Sequence, residues 1–109
     1  MVTLHRECRL LEDLLDECDD DYVGLWSIVA CVRRAKYDDA KQVTLALLQF
    51  LLSLGVIHAG ELDARFGFVP WTLTADEAIH RIRQEWDQLG SDPRLGDIAW
   101  FTTCEVAQL

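Results

Sequence analysis

Apolar residues recur with a helical period through the first half of the chain and fall into alternation after residue 55. Leu4, Cys8, Leu11, Leu15 and Cys18 share one helical face, which Leu14 widens, so the spacing predicts a first helix from Leu4 to about Cys18 with Thr3 as N-cap. Leu25, Ile28, Val29 and Val32 predict a second helix from about Tyr22 to Ala35, capped by one of Asp19–Asp21, with Trp26 at the edge of its apolar stripe. Arg33, Arg34 and Lys36 close it with positive charge, which suits the negative end of the helix dipole. A third helix begins after Asp38, where Asp39 and Gln42 have capping-box spacing, and runs to Ser53 or Leu54 before Gly55. Its apolar residues, Val43, Leu45, Leu47, Leu48, Phe50, Leu51, Leu52 and Leu54, leave so little polar face that a central place in the core is expected.

"VIHAGEL" (56–62) and "FGFVPWTL" (66–73) read as two short strands of a hairpin turning around "DAR". Thr74 and Glu77 form a capping box that opens a fourth helix, whose Ala78, Ile79, Ile82, Trp86 and Leu89 follow one face until Gly90 stops it. "DIAWFTTC" (97–104) is β-branched and aromatic and reads as a closing strand. The expected fold is therefore a single α+β domain over residues 1–109. It has three N-terminal helices, a small antiparallel sheet made of the hairpin and the C-terminal strand, and a fourth helix.

A helix followed by a hairpin is also a winged-helix-like order, which raises DNA binding. Charge argues against that use. The 109 residues carry 19 acids against 10 bases, a net charge of −9, and the element before the hairpin offers only Lys41, Gln42 and Gln49 to read bases. DNA readers need phosphate-neutralising bases around the reading element. A surface this acidic repels nucleic acid and anionic lipid and attracts basic partners. The longest apolar stretch, "VTLALLQFLLSLGVI", is too short and too often interrupted to span a membrane. The N-terminus lacks the basic-then-apolar order of a secretory signal, so the cytoplasm is the expected compartment.

Catalytic and metal chemistry find little support. Cys8, Cys18, Cys31 and Cys104 include no CxxC pair, and no histidine stands at a ligand interval from them. In a reducing compartment four buried, hydrophobe-like thiols are expected, with no bound metal or cofactor. "DECDDD" offers oxygen ligands, but from Asp16 the calcium-loop pattern needs a glycine where Asp21 stands and a glutamate where Ser27 stands. His5, His58 and His80 are widely separated, and no GxSxG, HExxH or phosphate-binding glycine loop occurs. A Cys31 or Cys104 nucleophile with His58 or His80 has no motif behind it, so no enzyme is expected.

Folding stability alone would not select one stretch of the chain. "EDLLDECDDD" (12–21) holds seven carboxylates and no base. On the first helix Glu12, Asp13, Asp16, Glu17, Asp19 and Asp20 gather on the side opposite the leucines, with Asp21 following. The like-charge pairs Glu12–Asp16, Asp13–Glu17 and Asp16–Asp20 each cost about 0.2–0.5 kcal/mol. Carboxylates in a last helical turn oppose the dipole by about 0.3–1 kcal/mol apiece. Asp19–Asp21 recover part of this if they stand at the start of the second helix. A solvated, solubilising strip accounts for such a run, and so does a surface kept for a basic partner. Of the four tryptophans, Trp86 and Trp100 are in phase with apolar stripes and read as core. Trp71 and Trp26 are better placed as exposed anchors, and Trp26 is the nominee for a partner contact.

"LWSIVACVRRA" (25–35) and "GFVPWTLTADEAIHRIRQEWDQLGSDPRLGDIAWFTT" (67–103) resemble a group of small acidic bacterial proteins. The shared order is an aromatic-Pro-Trp turn, a helix ending in Glu-Trp, a Leu-Gly stop, then Gly-Asp-Ile and a Trp-Phe strand. Some of that group look like the immunity proteins that accompany polymorphic or contact-dependent growth inhibition toxins, and the similarity covers about half of the chain. The resemblance implies a non-catalytic protein that binds a cognate, basic toxin domain and masks it. Glu12, Asp13, Asp16, Glu17, Asp19, Asp20 and Asp21 would supply the charge and Trp26 an anchor. Nothing in the pattern sets an oligomeric state.

Overall fold

The change of period at Gly55 is a change of structure. Gly55 ends a helix in the left-handed region (φ 74°), which only glycine enters freely, and the chain passes through a bend at Val56 into a strand. A computed structural model describes residues 12–16 and 22–103. Residues 12–16 are helical (α1), followed by β1 (Val23–Gly24), α2 (Leu25–Arg34), α3 (Ala40–Leu54), β2 (Ile57–Asp63), β3 (Gly67–Pro70), α4 (Ala75–Leu89) and β4 (Trp100–Thr103). The strands form one antiparallel sheet in the order β1-β4-β2-β3. The class is α+β, with one strand more than the sequence pattern shows.

That strand corrects the second helix. Val23 pairs with Phe101 and Gly24 with Trp100, so the chain stays extended through Gly24 and α2 starts at Leu25. Gly24 is the N-cap and no acid lies in the first turn, so the expected Asp19–Asp21 cap is not used. The closing strand starts later than expected. Ile98 has φ 69°, a left-handed value that a β-branched residue rarely takes, and this break confines β4 to Trp100–Thr103.

The other boundaries follow local chemistry. Asp39 Oδ1 accepts from Gln42 N at 3.2 Å and starts α3. Asp63 Oδ1 accepts from the amides of Arg65 and Phe66 at 2.7 and 3.1 Å and turns the hairpin. At α4 the capping box is complete in both directions: Glu77 N donates to Thr74 Oγ1 at 3.2 Å, and Thr74 N donates to Glu77 Oε1 at 2.9 Å. Thr74→Ala should therefore cost about 1 kcal/mol, measured by urea unfolding. An unchanged midpoint would mean the cap contributes nothing.

Alternation divides the sheet into two faces. Val23, Ile57, Ala59 and Phe101 share one face, and they form the core with Leu25, Ile28, Val29, Leu45, Leu48, Leu51, Ile79, Ile82 and Trp86 from α2, α3 and α4. Leu14 of α1 joins the same core. The helix α3 is not central on all sides. It buries Ala40, Thr44, Leu45, Leu48 and Leu51, while Phe50 and Leu54 are 53% and 61% exposed. Its outer side contributes Val43, Ala46, Leu47 and Phe50, with Tyr37, to an open apolar groove. A helix packed on one layer buries one stripe whatever its composition, and that limit overrides the nearly all-apolar sequence. Among the described residues, no helix is long and apolar enough to cross a membrane.

Candidate partner-binding surface

The acidic helix is one-sided in the way its pattern requires. Leu14 is buried and Leu15 half-buried against the core, which turns Glu12, Asp13 and Asp16 outward to solvent. Glu17, Asp19, Asp20 and Asp21 lie outside the described residues. So do Cys8, Cys18, Cys104 and His5, together with the rest of the first helix, which the pattern places between Leu4 and Cys18.

Other described carboxylates have structural tasks. Glu61 and Glu85 hold Arg81, Asp87 pairs with Lys41, and Asp92 pairs with Arg33. Asp76 accepts from Gln49 at 2.8 Å, and Asp97 accepts from the amide of Arg94 at 2.8 Å. Asp39, Asp63 and Glu77 cap or turn backbone. No such bond among the described residues engages Glu12, Asp13 or Asp16.

Trp26 stands on the sheet face turned away from the core. Antiparallel partners share a face, so Gly24, Trp100, Gly60 and Pro70 form one row of that face, and His58 with Thr102 and Leu62 with Phe68 form others. Tyr22, one residue before Val23, falls on the same side by alternation. The Trp26 ring lies over Gly24, where a side chain of any size would collide with it, and meets Trp100 edge-to-face with centroids 4.9 Å apart. Tyr22 and Phe68 stack at 5.5 Å and 12° although they enter from opposite sides of the sheet, so both rings lean in over its middle. Thr102 is fully buried there. The four rings are each half-buried and make an aromatic layer outside the core.

Three of those rings were not legible as a site. Trp100 was expected in the core beside Trp86. Trp86 is buried, whereas Trp100 lies half-buried on the opposite face. Trp71 was expected as an exposed anchor. It is instead half-buried against the core, under the Arg81 guanidinium at 4.0 Å from the ring centroid. Arg81 Nε donates to Glu85 at 2.7 Å and Nη2 to Glu61 at 3.1 Å. These bonds, the Glu85 bond foremost, hold Arg81 above its ordinary pKa against the opposing pull of burial. The signal for Tyr22, Phe68 and Trp100 was alternation opposite Gly24 and Gly60. Alternation sorts residues into two faces without saying which face is the core.

Among the described residues, no three His, Cys, Asp or Glu side chains gather as a metal site would require. Cys31 is half-buried, and Arg34 Nη2 lies 3.1 Å from its Sγ. Compared with known proteins, the chain matches no family model, no curated protein and no solved structure.

Proposed function

We propose that this chain is a cytoplasmic, non-catalytic binding protein, an immunity protein that neutralises a cognate bacterial toxin by masking a basic surface of it. The supporting observation is that Glu12, Asp13 and Asp16 face solvent with no ion pair to another described residue, while other carboxylates are engaged in the fold. The partial resemblance of residues 25–35 and 67–103 to that group supports the same reading. The acidic run, Glu12 through Asp21, steers the partner and sets register, since opposite charge mainly raises association rate and specificity. Affinity needs apolar anchors as well, and Trp26 is the tryptophan nearest the acidic run in sequence. The α3–β2–β3 succession keeps a winged-helix-like regulator as the alternative, which predicts retardation of host DNA at physiological salt; the −9 charge predicts none.

The test begins with a pull-down from the native bacterium to obtain the partner. Asp16→Asn, Glu17→Gln, Asp19→Asn and Asp20→Asn together should then slow association on the order of tenfold at low salt and flatten its salt dependence. Unchanged affinity with an unchanged salt slope would remove the strip from the mechanism.

A further inference from the structure

The outer side of α3 carries an apolar seam that the described part of the fold leaves open. Val43, Leu47, Phe50 and Leu54 follow one another at intervals of four, three and four residues. At about 100° per residue they fall within an arc of roughly 60°, the spacing with which one helix packs along another. Val43 and Leu47 are half-buried, Phe50 and Leu54 are exposed, and Ala46 beside them leaves room for a second helix to come close. Tyr37, Val43, Ala46, Leu47 and Phe50 line an open groove of about 260 Å³ on this side. We propose that this face binds a second copy of the chain, α3 against α3 in antiparallel order, to form a two-fold symmetric dimer.

The seam is complementary to itself. With the two-fold axis between Ala46 and Leu47, Phe50 of each copy lies over Val43 of the other, in the groove, and Leu54 reaches the turn at Asp39. A void of about 150 Å³ holds a benzene ring, so the groove has room for the Phe50 side chain of the second copy. The two helix dipoles run in opposite directions, which sets the positive end of each beside the negative end of the other.

Charge points to the same face. Two copies that each carry a net charge of −9 repel one another over most approaches. Residues 33–54 hold four bases and two acids, whereas the rest of the chain holds six bases and seventeen acids. Within α3 the one charged residue is Lys41, which lies on the side away from the seam and pairs with Asp87 of α4. Repulsion is therefore least here, and a charge-poor apolar centre is what an interface between proteins requires. The 15 residues of α3 extend about 22 Å. Contact along that length covers several hundred Å² on each copy, short of the roughly 800 Å² per partner of a stable complex. The dimer is accordingly weak and concentration-dependent. The seam lies on the helix side of the sheet, apart from the aromatic layer, and the dimer does not rest on the toxin-binding reading.

The test is sedimentation of the full chain alone, at low and at moderate salt. The weight-average mass should rise nearly twofold between about 10 µM and 1 mM, as expected of a small, weak interface. Salt should strengthen the association, because it screens the repulsion between two acidic copies. Salt weakens docking of a basic partner, so the two kinds of binding separate on this readout. Phe50→Gln with Leu54→Gln changes exposed positions and should leave the melting temperature nearly unchanged while abolishing the dimer. Under mild oxidation Ala46→Cys should form a disulfide-linked dimer above the background of the parent chain. Leu54→Cys should not, because in antiparallel order its two copies stand about 22 Å apart along the helix axis. A chain that stays monomeric at the highest concentration overturns the proposal. So does a dimer that survives in a folded Phe50→Gln, Leu54→Gln variant. If that variant melts early, the cysteine pair decides: cross-linking at Leu54→Cys as readily as at Ala46→Cys rules out the antiparallel seam. A monomeric parent whose toxin binding is lost in the same folded variant would assign the face to the toxin instead. None of these outcomes bears on the acidic run.

Discussion

Phe101→Ala is expected to lower the stability of the fold by about 3–5 kcal/mol, the usual range for deleting a buried aromatic side chain. Phe101 is fully buried and lies on β4, where it pairs with Val23 on one side and Ala59 on the other. It belongs to the same core cluster as Leu25, Ile28, Leu48 and Ile82, which come from α2, α3 and α4. The cost has two parts: the lost transfer of the ring from water and the cavity left behind. The central strand is held by ladders on both edges, so the backbone has little freedom to collapse into that cavity. A domain of this size has a total stability of roughly 5–15 kcal/mol, so the variant should be close to half-unfolded or melt well below the parent. Urea unfolding followed by circular dichroism measures the effect. Phe66→Ala is the control, since Phe66 is 76% exposed at the hairpin tip and should change stability by less than about 0.5 kcal/mol. If the two variants lose stability equally, Phe101 is not where the sheet and helices meet.

The elements legible in the sequence are those whose signals are local. The α4 capping box, the Gly90 stop, the Asp39 cap, the Gly55 stop and the Asp63 turn each involve groups within a few residues of one another. Those signals do not depend on what the rest of the chain does. Where the sequence pattern misled, the deciding partner was distant. Val23 and Gly24 fit a helical window as well as an extended one. Their conformation is set by Phe101 and Trp100, more than seventy residues away. The outer side of α3 and the placement of Trp100 belong to the same class, because which apolar face becomes core depends on which layer covers it.

The candidate surface was legible only in part for the same reason. Charge segregation on α1 is a property of one helix, and its described part, Glu12, Asp13 and Asp16, is exposed as the period implies. The aromatic layer is a property of four strands in register. Trp26 was singled out as a helix-edge residue. Its actual setting, over Gly24 and against Trp100, exists only once β1 and β4 pair.

That register also makes Gly60→Ala a severe substitution for so small a change. Gly60 pairs with Trp100 on one side and Pro70 on the other. A Cβ there would overlap the carbonyl oxygen of Val69 and stand 2.8 Å from Phe68 Cζ and 2.9 Å from Pro70 Cα. The Phe68 ring can swing aside at modest cost. The Val69 carbonyl and Pro70 Cα belong to the backbone of a neighbouring strand, held about 4.8 Å away by the ladder itself. Relief therefore requires β3 to move off β2, at an expected cost of about 2–3 kcal/mol. The Tyr22–Phe68 stack should be lost with it, seen as a change in near-ultraviolet circular dichroism. Adding Phe68→Ala separates the two conflicts. If the backbone clash dominates, the second substitution recovers little of the loss, and the two effects nearly add. Full recovery would place the conflict in the ring alone, and the close approach of β2 and β3 would then be no part of what the glycine is for.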